Sequence, residues 1–305
     1  MPYTLEWSAA IEQGLGQAQA LTISYVAANG RRLLQENELS IHSLNPNFGT
    51  ILEFTNGPTS NYQSLQTKFQ RSVGHGIQAL ASYTWSHAID YESNAFTIPL
   101  QRGNSDFDVR NNFTAGATWD SPRLSYGHFM NALLNTWAVD GHVIARSGFP
   151  VNITGNDAID TATGAIYYKG VDYDPSKPLY VYGPQYPGGR AINGGVNNTV
   201  DPAFTLPTGT ALGNAPRNFV RGFGATQVNL AVRREFHANE RFNLQFRAES
   251  FNVLNHPAFG TVNSTLTNSM FGRATATLNQ SLATTSSLYQ MGGPRSMQFA
   301  LKLQF

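Results

Sequence analysis

Seven histidines are the first candidates for chemistry, and His42, His75, His87, His128, His142, His237 and His256 are scattered along the chain. None forms an HExxH pair or another ligand spacing, so they are expected to be polar residues of turns, rims or a wet interior. Three acidic pairs, Asp106 with Asp108, Asp157 with Asp160 and Asp172 with Asp174, fall in stretches that look like loops. Clustered oxygens suit calcium, but no EF-hand spacing is present, and solvated loop residues or Asx turns are expected. Ser147-Gly148 and Ser125-Tyr126-Gly127 lack the nucleophile-elbow context, and no Ser, His and acid follow one another as a triad would. Gly222-Phe223-Gly224 is followed by no Gly-Lys-Ser/Thr, so it is not a phosphate loop. The absence of cysteine removes thiol nucleophiles, Cys-ligated zinc and disulfides. The expectation is a protein that is not an enzyme and holds no metal or cofactor.

One constellation suits binding. Tyr167, Tyr168, Tyr173, Tyr180, Tyr182 and Tyr186 crowd a long segment rich in Gly, Pro and Asp. Aromatic faces pack on the CH groups of sugars and other amphipathic ligands while polar neighbours read hydroxyls. Those six tyrosines are the candidate ligand-binding residues, and packing of the loop against itself is the alternative.

What must position such a loop follows from composition and period. Charged residues make up 13% of the 305, about half the usual share, and the formal net charge is +1 with no basic block. A nucleic-acid partner is therefore not expected. Mean hydropathy is −0.28, and no stretch approaches 18 consecutive apolar residues, which excludes a helical membrane protein. The N-terminal MPYTLEWSAAIEQGLG has no basic start followed by an apolar run, so it does not read as a signal peptide. Strands that alternate apolar and polar residues escape these hydropathy tests.

Period two recurs along the chain. Tyr3, Leu5, Trp7, Ala9 and Ile11 alternate with Thr4, Glu6, Ser8 and Glu12; Leu21, Ile23, Tyr25 and Ala27 follow after a short turn. Leu65, Thr67 and Phe69, then Ile77, Ala79, Ala81, Tyr83 and Trp85, form a second pair around a tight turn. The rows Phe113 to Trp119, Trp137 to Ala145, Val228 to Phe236 and Phe242 to Ala248 repeat the pattern. The chain closes on Met297, Phe299, Leu301, Leu303 and Phe305, interleaved with Gln298, Ala300, Lys302 and Gln304. Nine strand-like segments result. A tenth would require LSIHSL or TILEF in the first long connection, and a small complete barrel would then be possible.

The connections alternate too. Those near 13–18, 73–76 and 237–240 are short, and 120–135 is intermediate with room for a helical turn. Those near 29–60, 87–110, 148–225 and 253–294 are long. Such alternation gathers every long loop at one end of an up-and-down sheet. Segments of about ten residues match a tilted membrane-crossing strand, and Trp7, Trp85, Trp119 and Trp137 lie towards segment ends, where interfacial girdles belong. The fold class expected is all-β: an antiparallel, up-and-down transmembrane β-barrel segment of nine to ten strands, part of a larger barrel. A secreted or surface carbohydrate-binding or adhesion module is the alternative.

Several stretches together resemble the C-terminal part of the barrel of TonB-dependent outer-membrane receptors, in particular the Oar-like group. They are SNYQSLQTKFQRSVGHGIQALASYTWSHAID at 60–90, SDFDVRNNF at 105–113, WAVDGHVIARSGFPV at 137–151, RAESFNVLNHPAFG at 247–260 and the terminal Phe305. Asn111 and Asn112 depart from the family pattern, which has a His and often a basic residue there.

The resemblance implies location in the cell outer membrane, strands in contact with outer-membrane lipid, and import of an unidentified ligand. It also implies an inner-membrane TonB-type energy transducer that acts through an N-terminal plug. It assigns the last strand, with Phe299, Leu301, Leu303 and Phe305, as the signal read by the barrel-assembly machinery. Family members carry a signal peptide and plug ahead of the barrel, and plugged transporters have about 22 strands. Residues 1–305 are therefore expected to be the C-terminal portion of a longer receptor, or a truncated gene product, with plug and signal peptide absent.

Overall fold

The structure is a computed structural model that describes residues 1–40, 45–74, 76–91, 101–122, 125, 127–155, 157–159, 166–168, 170–209, 212–237, 243–281 and 291–304. Its frame is nine long strands: β1 (Tyr3–Gly14), β2 (Gln19–Arg31), β3 (Ser60–Gly74), β4 (Ile77–Asp90), β5 (Asn111–Asp120), β6 (Trp137–Arg146), β7 (Ala225–His237), β8 (Asn243–Phe251) and β9 (Ser296–Gln304). Each pairs antiparallel with the next in chain order, a meander with no crossover, and a two-residue piece at Gly103–Asn104 adds to β4. Among the described residues β1 and β9 do not pair with each other, so the sheet is open.

Registers carry one face across all nine strands. On it Ile11 meets Ile23, Tyr25 meets Leu65, Leu65 meets Trp85, Tyr83 meets Phe113, and Trp119 meets Val139. The row continues through Val139 and Val232, Phe236 and Leu244, and Phe246 and Leu301. A slip of one residue anywhere would turn a strand inside out, so the alternation itself fixes the register.

The large apolar side chains of this face lie open: Phe299 is 66% and Leu301 69% exposed. The buried apolar residues that the strands do contribute are alanines, Ala27, Ala138, Ala225 and Ala231. A water-soluble sheet would cover such a face with a second layer. Here the hydrophobic core lies elsewhere, in the long loops, where Val171, Ile192, Phe204, Val220, Leu266 and Phe271 pack together.

Long connections stand at one end of the sheet and short ones at the other. Helix α1 (His128–Leu134) occupies the intermediate connection at the short-turn end. TILEF is a strand, but it pairs with Leu34–Ser40 as a hairpin outside the main sheet, so the sheet gains no tenth long strand from it. The other candidate, LSIHSL, lies largely outside the described residues. No helix among the described residues is long and apolar enough to cross a membrane.

Candidate functional site

The opposite face is polar. Thr118, Asp140, Arg233, Arg247 and Glu249 form a connected patch on β5 to β8. Thr118 Oγ1 donates to Asp140 at 2.8 Å, Arg233 lies 3.1 Å from Asp120, Arg247 lies 3.5 Å from Asp140, and Arg247 Nε donates to Glu249 at 2.7 Å. Ionic groups this numerous need water, which fits a wet interior with the apolar face turned outward.

Along β4 the outward row runs from Ile77, the partner of Trp119, to Trp85, the partner of Asn111. That length of strand, counted inclusively, falls at the lower end of the roughly 9 to 11 residues with which a tilted strand crosses the hydrocarbon layer. Trp137 begins β6 at the short-turn end and pairs with Arg234 of β7. Arg234 stands in the outward row between Val232 and Phe236, and its guanidinium lies 4.9 Å from the Trp137 ring centre and 4.5 Å from that of Phe236. A cation stacked among aromatics at the end of a spanning strand matches an interfacial girdle.

At the other end the long loops fold over the polar face. Gln227 Oε1 accepts from the Gly292 N–H at 2.8 Å, and Ala225 packs with Ala258 and Leu278. The loop 147–224 and the loop 252–295 lock together through Thr154 N–H to Ser264 O at 3.0 Å and Ile192 N–H to Gly272 O at 3.0 Å. Gly272 has φ +69°, and a Cβ there would meet Ile192 N at 2.6 Å, so glycine is needed for this approach.

A charged latch ties the loop 91–110 into the same layer. Asp108 is buried; it accepts from the Ala88 N–H at 2.7 Å and from Arg110 Nε at 2.8 Å, and it is bound by Arg221 through both side-chain and backbone oxygens. Beside it Arg217 donates to Asp90 at 2.6 Å and Asp106 at 3.1 Å, while Asn218 and Asn104 exchange amide-to-carbonyl bonds at 2.9 Å. Asp106 and Asp108 are thus ion-pairing residues rather than solvated loop carboxylates. Arg217 and Arg221 belong to no motif, although four positions apart in a loop poor in basic residues they are a signal. Asp174 is an Asx turn as expected, accepting from Ser176 N–H at 2.9 Å and Oγ at 2.7 Å. Those bonds hold its carboxyl below the usual range. Asp157 falls where side chains are not described, and Asp160 outside the described residues.

The four tyrosines whose side chains are described are not brought together as one surface. Tyr173 stacks on Phe204 at 5.3 Å and meets Phe219 at 4.8 Å. Tyr180 donates its hydroxyl to Arg221 O at 2.7 Å under Arg190, and Tyr186 is buried beneath Arg273. Tyr182 is exposed. Tyr167 and Tyr168 sit on a short strand, Ile166–Tyr168, whose side chains are not described. Of the terminal run, Phe299, Leu301 and Leu303 share the outward row of β9, and Phe305 lies outside the described residues. His87 Nε2 lies 3.0 Å from Asn104 Oδ1 and His142 is on the polar face of β6; His42 and His75 lie outside the described residues. Among the described residues no three His, Asp or Glu side chains converge as metal ligands would.

Beneath the loop layer, at its junction with the polar face, a cavity of about 450 Å³ is lined by residues that include Tyr62, Thr84, Phe107, Asn112, Arg146 and Phe149.

Known proteins offer one family to set beside this geometry. No curated protein matches the sequence. Among solved structures the chain is similar to the outer membrane transporter YddB from Escherichia coli, at 9% identity and a TM-score of 0.47, over 99% of this chain and 32% of that one. The chain thus spans about a third of that transporter's length. The family model described as "Outer membrane beta barrel domain" matches residues 1–298. With an outward apolar face, a polar interior face and long loops at one end, this outer-membrane protein belongs to the outer membrane beta barrel domain family.

Proposed function

We propose that the protein is the C-terminal barrel portion of a TonB-dependent outer-membrane receptor that imports a small ligand. The observation that carries this reading is the loop layer: three long loops with their own core and ion-pair latch are folded over the polar face of a membrane-spanning sheet. A static pore needs no such cap, whereas a receptor must capture its ligand before passing it inward. The motifs at 60–90, 105–113 and 247–260 support the assignment to the TonB-dependent group.

The sheet has two edges whose backbone groups lipid cannot satisfy. In this reading further strands complete a larger barrel, and a plug fills it and carries the contact with the energy transducer. The outward row of β9, Met297 to Leu303, with Phe305 next in the sequence, is what the barrel-assembly machinery reads, and lipid covers the remaining rows. The protein has no catalytic role, metal or cofactor in this account. A secreted carbohydrate-binding module is disfavoured because none of the described residues covers the apolar face across nine strands.

The test compares cells lacking the protein with cells lacking the energy transducer, offering each a fractionated nutrient mixture and measuring depletion of its components by mass spectrometry. One component whose uptake fails in both strains is the expected result. Uptake that needs the protein but not the transducer would refute TonB dependence while leaving the barrel intact.

A further inference from the structure

We propose that the cavity between the loop layer and the polar face is a binding site for a small organic carboxylate, with Arg146 as its charge partner. The proposal rests on the receptor reading above and names the class of ligand.

The floor of the cavity is one register row. Gln66 of β3 is opposite Thr84 of β4, Thr84 is opposite Asn112 of β5, and Asn112 is opposite Arg146 at the end of β6. Strand pairing therefore holds an amide, a hydroxyl, a second amide and a guanidinium in line, on the hydrogen-bonded strand frame rather than on loops. Next to Arg146 on the far side is Ala225, which offers no charge.

The roof comes from two loops. Phe149 lies under the Arg146 guanidinium, 4.2 Å from ring centre to the guanidinium carbon. Phe107, from the loop that carries the latch, lines the same cavity and is 75% exposed.

Charge decides the class of ligand. Arg146 enters none of the ion pairs of the described residues, and its Nη1 is buried with no hydrogen-bond partner among them. That one nitrogen therefore has a donor to spare for a ligand acceptor. The other charge on the cavity wall, Asp108, is already held by Arg110 and Arg221 and does not offset Arg146. A cation without a counter-ion, flanked by ring faces and by amide and hydroxyl groups, fits a carboxylate attached to a flat or ring-shaped body. The volume lies within the usual range for small-molecule sites, about 300 to 1,000 Å³. Aromatic acids and acidic sugars share this chemistry.

The experiment uses isolated outer membranes from cells that produce the protein, with membranes lacking it as the blank. Saturation-transfer NMR is recorded with 4-hydroxyphenylacetate and with galacturonate, each beside its uncharged counterpart, 4-hydroxyphenylacetamide and galactose. One acid is expected to bind saturably, at least about tenfold more tightly than its neutral counterpart, as for a hydrogen bond to a charged partner. The acid that binds tells an aromatic source from a sugar source. Arg146→Gln should remove the difference between acid and neutral probe, and Arg146→Lys should restore part of it. Should Arg146→Gln fail to assemble, the acid-versus-neutral comparison on the unaltered protein still decides. Equal binding of charged and neutral probes, binding of neither acid, or full binding by assembled Arg146→Gln would overturn the proposal. Loss of transducer dependence would leave these measurements unchanged, so the two readings fail separately.

Discussion

Replacing Asp108 by Ala should open the loop layer without dismantling the barrel. The carboxylate is buried and accepts from the Ala88 N–H, Arg110 and Arg221. Its removal would orphan the Ala88 donor, at about 1–3 kcal/mol, and leave two guanidinium groups without their partner. Breaking a fully buried pair costs about 3–5 kcal/mol, but Arg221 and Arg110 keep 23% and 33% of their side-chain surface, so water softens that part. A net local cost of about 3 kcal/mol follows, or a roughly hundredfold larger open population.

Hydrogen exchange on outer-membrane samples reads this directly. Amides bonded within the layer, such as those of Ser105, Asp108 and Gly222, should exchange roughly a hundredfold faster. Amides in the centre of β4 and β5 should be unaffected, and boiled and unboiled samples should still migrate differently on a denaturing gel, as a folded barrel requires. Asp108→Asn, which can still accept from Ala88, should fall between. Unchanged loop exchange, or loss of the folded barrel with Asp108→Ala, would refute the view that the latch serves the loops alone.

Further predictions follow from the two faces and the loop turns. Ala81→Arg, in the outward row midway between Ile77 and Trp85, should destabilise the inserted barrel by about 2–4 kcal/mol in a denaturant titration from lipid, as for a cation at the bilayer centre. Thr114→Arg on the interior face should be close to neutral in the same titration. Arg234→Leu should cost about 1–2 kcal/mol, because it removes a buried guanidinium stacked on both Trp137 and Phe236, and an unchanged titration would contradict a role for Arg234 in the girdle. The turn at Asp174 has a carboxyl held below its ordinary value by Ser176. Its contribution is therefore present above the usual carboxylate pKa and lost as pH falls through the lowered value, which an NMR titration of the Ser176 amide would show; a Ser176 shift centred at the ordinary carboxylate pKa would contradict it.

The strands were legible because facing lipid on one side and water on the other is a demand placed on each residue by its own position. Met297, Phe299, Leu301 and Leu303 announce it without help from the rest of the chain. Arg234 breaks the β7 row between Val232 and Phe236, and its interfacial place is shown by its stack on Trp137 and Phe236 rather than by the alternation. The loop layer was not legible. Phe204 and Phe271 share a core across 67 positions, and nothing periodic marks residues that meet through irregular chain. For the same reason Tyr173, Tyr180 and Tyr186 could not be told from ligand-facing rings until their packing was seen. Arg146 is a different case: it sits at the polar phase of β6, and only the neutral neighbours supplied by β5 and β7 reveal that its charge is unmatched among the described residues.

The central claim, that the two faces of one sheet meet lipid and water, is tested most directly on β9. The chain contains no cysteine, so single cysteines placed in turn from position 297 to 303 can be labelled in intact outer membranes with a water-soluble maleimide and with a lipid-soluble one. The account predicts strict alternation: positions 297, 299, 301 and 303 react with the lipid-soluble reagent, and 298, 300 and 302 with the water-soluble one. Uniform labelling along the strand, or the inverse pattern, would contradict it.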